Sequence, residues 1–355
     1  MKLLPAAALL LGLVLMPGWP AHAQAVAGPG MASPAGQALA SKSDPVPGNA
    51  KGPSALPAGV AFITNQGSAD VSVVDLARGH ERLRVPVPAG PAGVAVDDRH
   101  QRVFVTSPDA RTLTLIEATD PSHTRSLVLG GGPVGVAAAP DGNTVYVADW
   151  FQNQLVVVDV AGWRVRDRIA VGQVPAGVLV APDGKRLYVA ERDENRVAVI
   201  DTASARVIGH VQVGDHPFGL AQDGQGKQLY VVNVQSDNVS VVDTAALAVS
   251  ATVAVGRTPY CAAWAPDGRL WVSNQHGDSV SVIDLAQSRV IATIPTGAFP
   301  EGIAVEGDLV LLVSWMDEEL DLIDRATLTI RQRISLGRNS RGFGNFVWHA
   351  AQAAP

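Results

Sequence analysis

The chain is 355 residues long, carries 33 acidic and 27 basic residues for a formal net charge of -6, and is 47% hydrophobic. It shows no basic run and no arginine stripe, so the usual electrostatic footprint of nucleic-acid or anionic-membrane binding is missing and no nucleic-acid partner is expected. Cys261 is the single cysteine, which excludes an intramolecular disulfide.

Residues 1–23 read as a cleavable secretory signal. Lys2 supplies the positive start, Leu3 to Met16 the apolar stretch, and Ala21, His22 and Ala23 a small-x-small cleavage site. The apolar stretch is too short for a spanning helix, Pro17 follows it, and no later segment approaches membrane-spanning length. The expectation is a periplasmic or secreted monomer with no transmembrane segment once the signal is removed. Residues 24–57 are rich in Ala, Gly, Pro and Ser, cannot bury a core, and read as a disordered tether.

Residues 58–350 form a repeat array, with 351–355 left as a tail. An acidic residue closes a Val-rich run at Asp75, Glu117, Asp159, Asp201, Asp243, Asp284 and Asp324, a step of 40 to 42 residues. A G-x-x-P-x-G element keeps the same step through Pro91, Pro133, Pro175, Pro217, Pro259 and Pro300, with Ser340 replacing proline in the seventh copy. About 40 residues is the length of one four-stranded propeller blade. Within each copy, four short β-branched runs are separated by turn chemistry. Pro-Asp-Gly at 140–142, 182–184 and 266–268 predicts tight turns between the first two runs.

Several recurring positions read as scaffold. Phe62, Phe104, Tyr146, Tyr188, Tyr230, Trp271 and Leu311 share one register of the second strand, where a large side chain fills the wedge between blades. The acidic series ends the third strand, where a carboxylate caps the following turn. Cys261 occupies the place of the glycine after the proline and reads as a buried, inert thiol. The array opens at Val60 with a second strand and ends with a lone first strand, Gly342 to Trp348. The fold expected is therefore an all-β, seven-bladed propeller whose last blade joins residues 60–88 to 342–349, leaving no free edge.

The second-strand signatures are Phe62-Ile63-Thr64-Asn65, Tyr146-Val147-Ala148-Asp149, Tyr188-Val189-Ala190-Glu191, Tyr230-Val231-Val232-Asn233 and Trp271-Val272-Ser273-Asn274, each followed by a V-S-V-V/I-D-like strand. On these residues the repeat resembles the YVTN, or YncE-like, family of β-propeller repeats over about residues 60–350. The resemblance implies a secreted or periplasmic seven-bladed propeller and names no activity.

In such a disc, two loop sets gather on one face around the channel: the G-x-x-P-x-G elements and the loops after the second strands. Between proline and glycine the copies place Ala92, Val134, Ala176, Phe218, Tyr260, Glu301 and Arg341 in turn, so the large or charged residues fall in consecutive repeats and form one arc. Trp315 and Arg338 thicken that arc. Phe218, Tyr260, Glu301, Trp315, Arg338 and Arg341 are the candidate ligand- or partner-binding residues, because exposed aromatics and arginines make hot spots and polar pockets. The competing reading is that terminal copies diverge only to close the ring.

No H-E-x-x-H, G-x-S-x-G, C-x-x-C-H or phosphate-binding glycine loop occurs, and no catalytic residue is assigned. The expected function is an exported, non-enzymatic binding scaffold that recognises a protein, peptide or small molecule at the channel mouth, with no cofactor. The alternative is a periplasmic enzyme or a metal or haem-type carrier using His216 and His276 at the same mouth.

Overall fold

The computed structural model describes residues 59–349. The signal, tether and tail expected at 1–23, 24–57 and 351–355 lie outside the described residues. Each repeat folds as four antiparallel strands because its apolar runs are only six or seven residues long and turn formers separate them. In blade 4 these strands are Pro175–Val180, Arg186–Glu191, Arg196–Asp201 and Arg206–Gln212, running outward from the channel. The Pro-Asp-Gly turns behave as predicted: Gly142, Gly184 and Gly268 sit at φ of 68°, 71° and 81°, and the Asp141 carboxylate accepts the Asn143 amide at 2.8 Å.

The described strands form seven sheets arranged as seven blades. The inner strands are Gly93–Asp97, Pro133–Ala138, Pro175–Val180, Pro217–Gln222, Pro259–Trp264 and Pro300–Glu306 for blades 2 to 7. The predicted aromatic register is core: Phe62, Phe104, Tyr230, Trp271 and Leu311 have no exposed surface, and Tyr146 and Tyr188 almost none. Burying such a side chain contributes roughly 1.5–3 kcal/mol. Five of the acidic series, Asp75, Asp201, Asp243, Asp284 and Asp324, cap turns as expected, with Asp201 accepting the Ser204 amide at 2.7 Å, Asp243 the Ala245 amide at 2.8 Å and Asp324 the Thr327 amide at 2.7 Å.

Hydroxyls in the second strands hold neighbouring blades together. Thr64, Thr106 and Ser273 donate to the carbonyls of Ala92, Val134 and Glu301 in the next blade at 2.8, 2.6 and 2.6 Å. In blades 2 to 4 the second residue after the proline is glycine because of the same approach, whereas blade 6 places Cys261 there. A Cβ on Gly93, Gly135 or Gly177 would lie 2.2, 2.0 or 2.2 Å from the next blade's carbonyl oxygen.

Closure follows the expected logic with one correction. Val347–Trp348 pairs with Val60–Asn65 and completes blade 1 with Asp70–Asp75 and His80–Pro86. The segment from 342 to 348 is not one strand, however. Phe343–Asn345 pairs in parallel with Gly93–Asp97 of blade 2 instead. Blade 4 pairs Pro175 with Glu191 and Val178 with Val189, one extra residue on the inner strand; blade 1 pairs Ser340 with Asn65 and Ala61 with Val347, three extra. The surplus loops into the channel at Gly344, whose φ of 117° and close approach to the Val94 carbonyl suit glycine alone.

Candidate functional site

Both loop sets do share one face, and a device not seen in the sequence ties them together. Asn153, Asn195, Asp237 and Asp278, in the loops after the second strands, accept the backbone amides of Val174, His216, Thr258 and Phe299 of the next blade at 3.0, 2.9, 2.7 and 3.1 Å. Those four acceptor-bound residues precede the prolines and all have φ between 52° and 56°. Left-handed backbone is strained for β-branched and aromatic residues, and the side-chain acceptor helps to hold it. The spacing of 153, 195, 237 and 278 carried this signal.

Phe218, Tyr260 and Glu301 stand second in successive inner strands, Arg341 lies just before Phe343–Asn345, and the four meet over the channel. The Phe218 ring lies 4.4 Å from Tyr260 and 4.8 Å from Phe343, with Trp150 of blade 3 edge-on at 6.1 Å. Contacts between blades 3, 5 and 6 and the terminal segment require these rings to reach across the axis. Phe218 and Tyr260 are 4% and 8% exposed, so they roof the channel and do not stand open at a mouth. Phe343, absent from the sequence-derived set, completes the roof.

Beside the roof lies an ionic pair. Glu301 is 1% exposed; its Oε1 accepts Gln275 Nε2 at 2.8 Å, and its Oε2 lies 3.5 Å from Arg341 Nε. Burial pushes the Glu301 carboxyl up, against the opposing pull of Arg341 and Gln275. Burial, and then the Glu301 charge, raise the Tyr260 hydroxyl well above its usual range. The Cys261 thiol is likewise pushed far up by burial, in keeping with an inert side chain. Arg192 stacks over Trp150 at 5.7 Å and is also bound to Asp193.

The other candidates sit apart from that centre. Trp315 is half-buried and forms a second aromatic row, 6.1 Å from Phe299, which lies 4.9 Å from His276; Met316 beside it is 54% exposed. Arg338 hydrogen-bonds the Gly67 carbonyl at 2.9 Å and tethers the last loop to blade 1. His216 and His276 are half-buried, and burial, followed by Arg192 and Arg257 respectively, lowers their pKa values. Among the described residues no group of three or more His, Cys, Asp or Glu side chains is placed to hold a metal. Beneath the roof runs a cavity of about 470 Å³, lined from Gly135, Gly177 and Gly219 down to Pro140, Pro182 and His349 at the opposite face.

The family described as a YNCE-like beta-propeller matches residues 56–224. Over those residues the chain is similar to that family. No curated protein matches the sequence. Among solved structures, Kuenenia stuttgartiensis hydrazine synthase is 20% identical with a TM-score of 0.64, over 70% of this chain and 88% of that one. The dihydro-heme d1 dehydrogenase NirN, in complex with DHE, is 14% identical with a TM-score of 0.64, over 83% and 76%. A functionally unknown protein from Desulfotomaculum acetoxidans DSM 771 is 14% identical with a TM-score of 0.71, over 82% and 99%. At these identities the likeness is one of fold.

Proposed function

We propose that this YNCE-like propeller is an exported, non-enzymatic binding scaffold whose recognition surface is the loop face, spanning the aromatic roof and the Trp315 row. The observation that carries the reading is the convergence of the divergent arc: Phe218, Tyr260, Glu301 and Arg341 come from four consecutive repeats and meet at one place. A rigid ring of seven blades holds those side chains in fixed positions, and rigid presentation lowers the entropic cost of binding. The test is native mass spectrometry with an absorption spectrum on protein purified from its host's periplasmic fraction, comparing the parent with Trp315→Ala and Arg341→Gln. A co-purifying species lost in either variant supports the reading. The same species retained by both variants overturns it, and a visible band lost only on His216→Ala or His276→Ala would replace it with the cofactor-carrier alternative.

A further inference from the structure

We propose that the chain associates with a second copy of itself, edge to edge, through the outer strand of blade 5, Ala248–Ala254. The proposal concerns the rim and is independent of the loop face. The fourth strand ends the sheet in every blade, so its outward backbone groups pair with no strand. Such an edge invites another strand unless charges or prolines guard it. Two registers carry the guards. Opposite the acidic residue that closes the third strand, blades 1, 3, 4 and 6 place His80, Arg164, Arg206 and Arg289, whereas blade 5 places Ala248. In the second register, blades 1, 3, 4 and 7 place Arg84, Arg168, His210 and Arg333, whereas blade 5 places Thr252. Blade 2 is guarded by Pro121 and Arg125 instead. Among the described outer strands, Ala248–Ala254 alone contains no charge, histidine, proline or glycine.

The backbone does not make up for the missing guards. A β-bulge occurs at the same place in all seven outer strands, so it does not set blade 5 apart, and Ala251–Ala254 beyond it keeps regular register with Asn238–Val241. The neighbours are apolar as well. Val249 is 38% exposed, and Ile208 on the outer strand of blade 4 and Ile291 on that of blade 6 are 53% and 45% exposed. Charge selects the partner. Antiparallel pairing of a strand with its own copy about a two-fold axis sets each side chain near its own image, so the arginine edges of blades 1, 3 and 7 would oppose like charges. The uncharged edge of blade 5 is complementary to itself. A register centred on Thr252 also sets its hydroxyl opposite that of the second copy, a pairing that antiparallel sheets favour.

The test is sedimentation velocity on the purified full chain from about 1 to 300 µM, the range of a small interface, with hydrogen exchange read at both ends. A monomer-dimer equilibrium is expected, with protection of Ala248–Ala254 rising with concentration and the other outer strands unchanged. Thr252→Arg and Ala248→Arg should each weaken the dimer at least about tenfold. Both substitutions fold, because other blades carry arginine in these registers. Ser126→Arg adds the same charge in the Thr252 register of blade 2 and should leave the dimer intact. A chain that stays monomeric with a freely exchanging edge overturns the proposal, as does a dimer that neither blade 5 variant weakens. Protection of Ala248–Ala254 in a chain that sediments as a monomer would give the edge to another strand and overturn the second copy as its occupant.

Discussion

Replacing Arg341 with methionine strips the buried Glu301 carboxylate of its only cationic partner among the described residues while keeping most of the side-chain volume. Removing one member of a buried ion pair costs about 3–5 kcal/mol, because the remaining charge is left desolvated. Gln275 still donates to Glu301 Oε1, and the 23% exposure of Arg341 shows that water reaches this edge, so we expect a loss just below that range, about 2–3 kcal/mol at pH 7. The loss should depend on pH with a definite sign. Burial already raises the Glu301 pKa, and Arg341 is the main group opposing that rise, so its removal raises the pKa further. Between the ordinary carboxylate value and the raised folded value, the folded state binds more protons than the unfolded one, and stability falls as pH increases. Urea unfolding followed by tryptophan fluorescence should therefore find Arg341→Met weakest at pH 7 and recovering toward pH 5. Glu301→Gln/Arg341→Met should regain most of the loss and be flat across that range. A loss below about 0.5 kcal/mol at pH 7, the size of an ordinary surface substitution, would refute this account of the pair, as would a loss independent of pH.

Three further outcomes follow from particular contacts. Gly177→Ala places a Cβ 2.2 Å from the Phe218 carbonyl of the next blade and should lower the urea-unfolding free energy by about 1–3 kcal/mol; an unchanged midpoint would mean the blades part easily. His349 bridges Asp98 and Glu306 at 3.0 and 2.5 Å, and although burial opposes its charge, those two carboxylates raise its pKa overall. Its stabilising contribution is thus full below the unfolded value of about 6.5 and lost as pH rises through the folded value, so the Tm gap between parent and His349→Gln should close on the alkaline side. Cys261 is buried with its thiol pKa far above the usual range, so an aromatic disulfide reagent should label it only at the rate of unfolding, and fast labelling of the folded protein would contradict the placement.

The closing blade shows where sequence reading stops short. That residues 60–88 must recruit a C-terminal strand was a counting argument, and the pairing of Val60 with Trp348 agrees with it. That the incoming segment carries surplus residues, and lends Phe343–Asn345 to blade 2, depends on register, which alternation does not encode when both faces of a strand are buried. The candidate site divides in the same way. The arc was visible because consecutive repeats can be compared with one another, yet exposure was misjudged for Phe218, Tyr260 and Glu301. Their side chains turn toward the axis, where a channel narrow enough for aromatic rings to meet buries what a wider ring would leave open.

The sequence by itself determined the repeat length, the blade number, the wedge-filling aromatic register, the turn caps and the inert cysteine, because each is set by local spacing and by residue chemistry repeated seven times. Only the tertiary structure decided which loop residues meet. Phe218 and Phe343 are 125 positions apart, yet their rings lie 4.8 Å from each other. Their proximity arises from closing the ring, a long-range condition that no local pattern records.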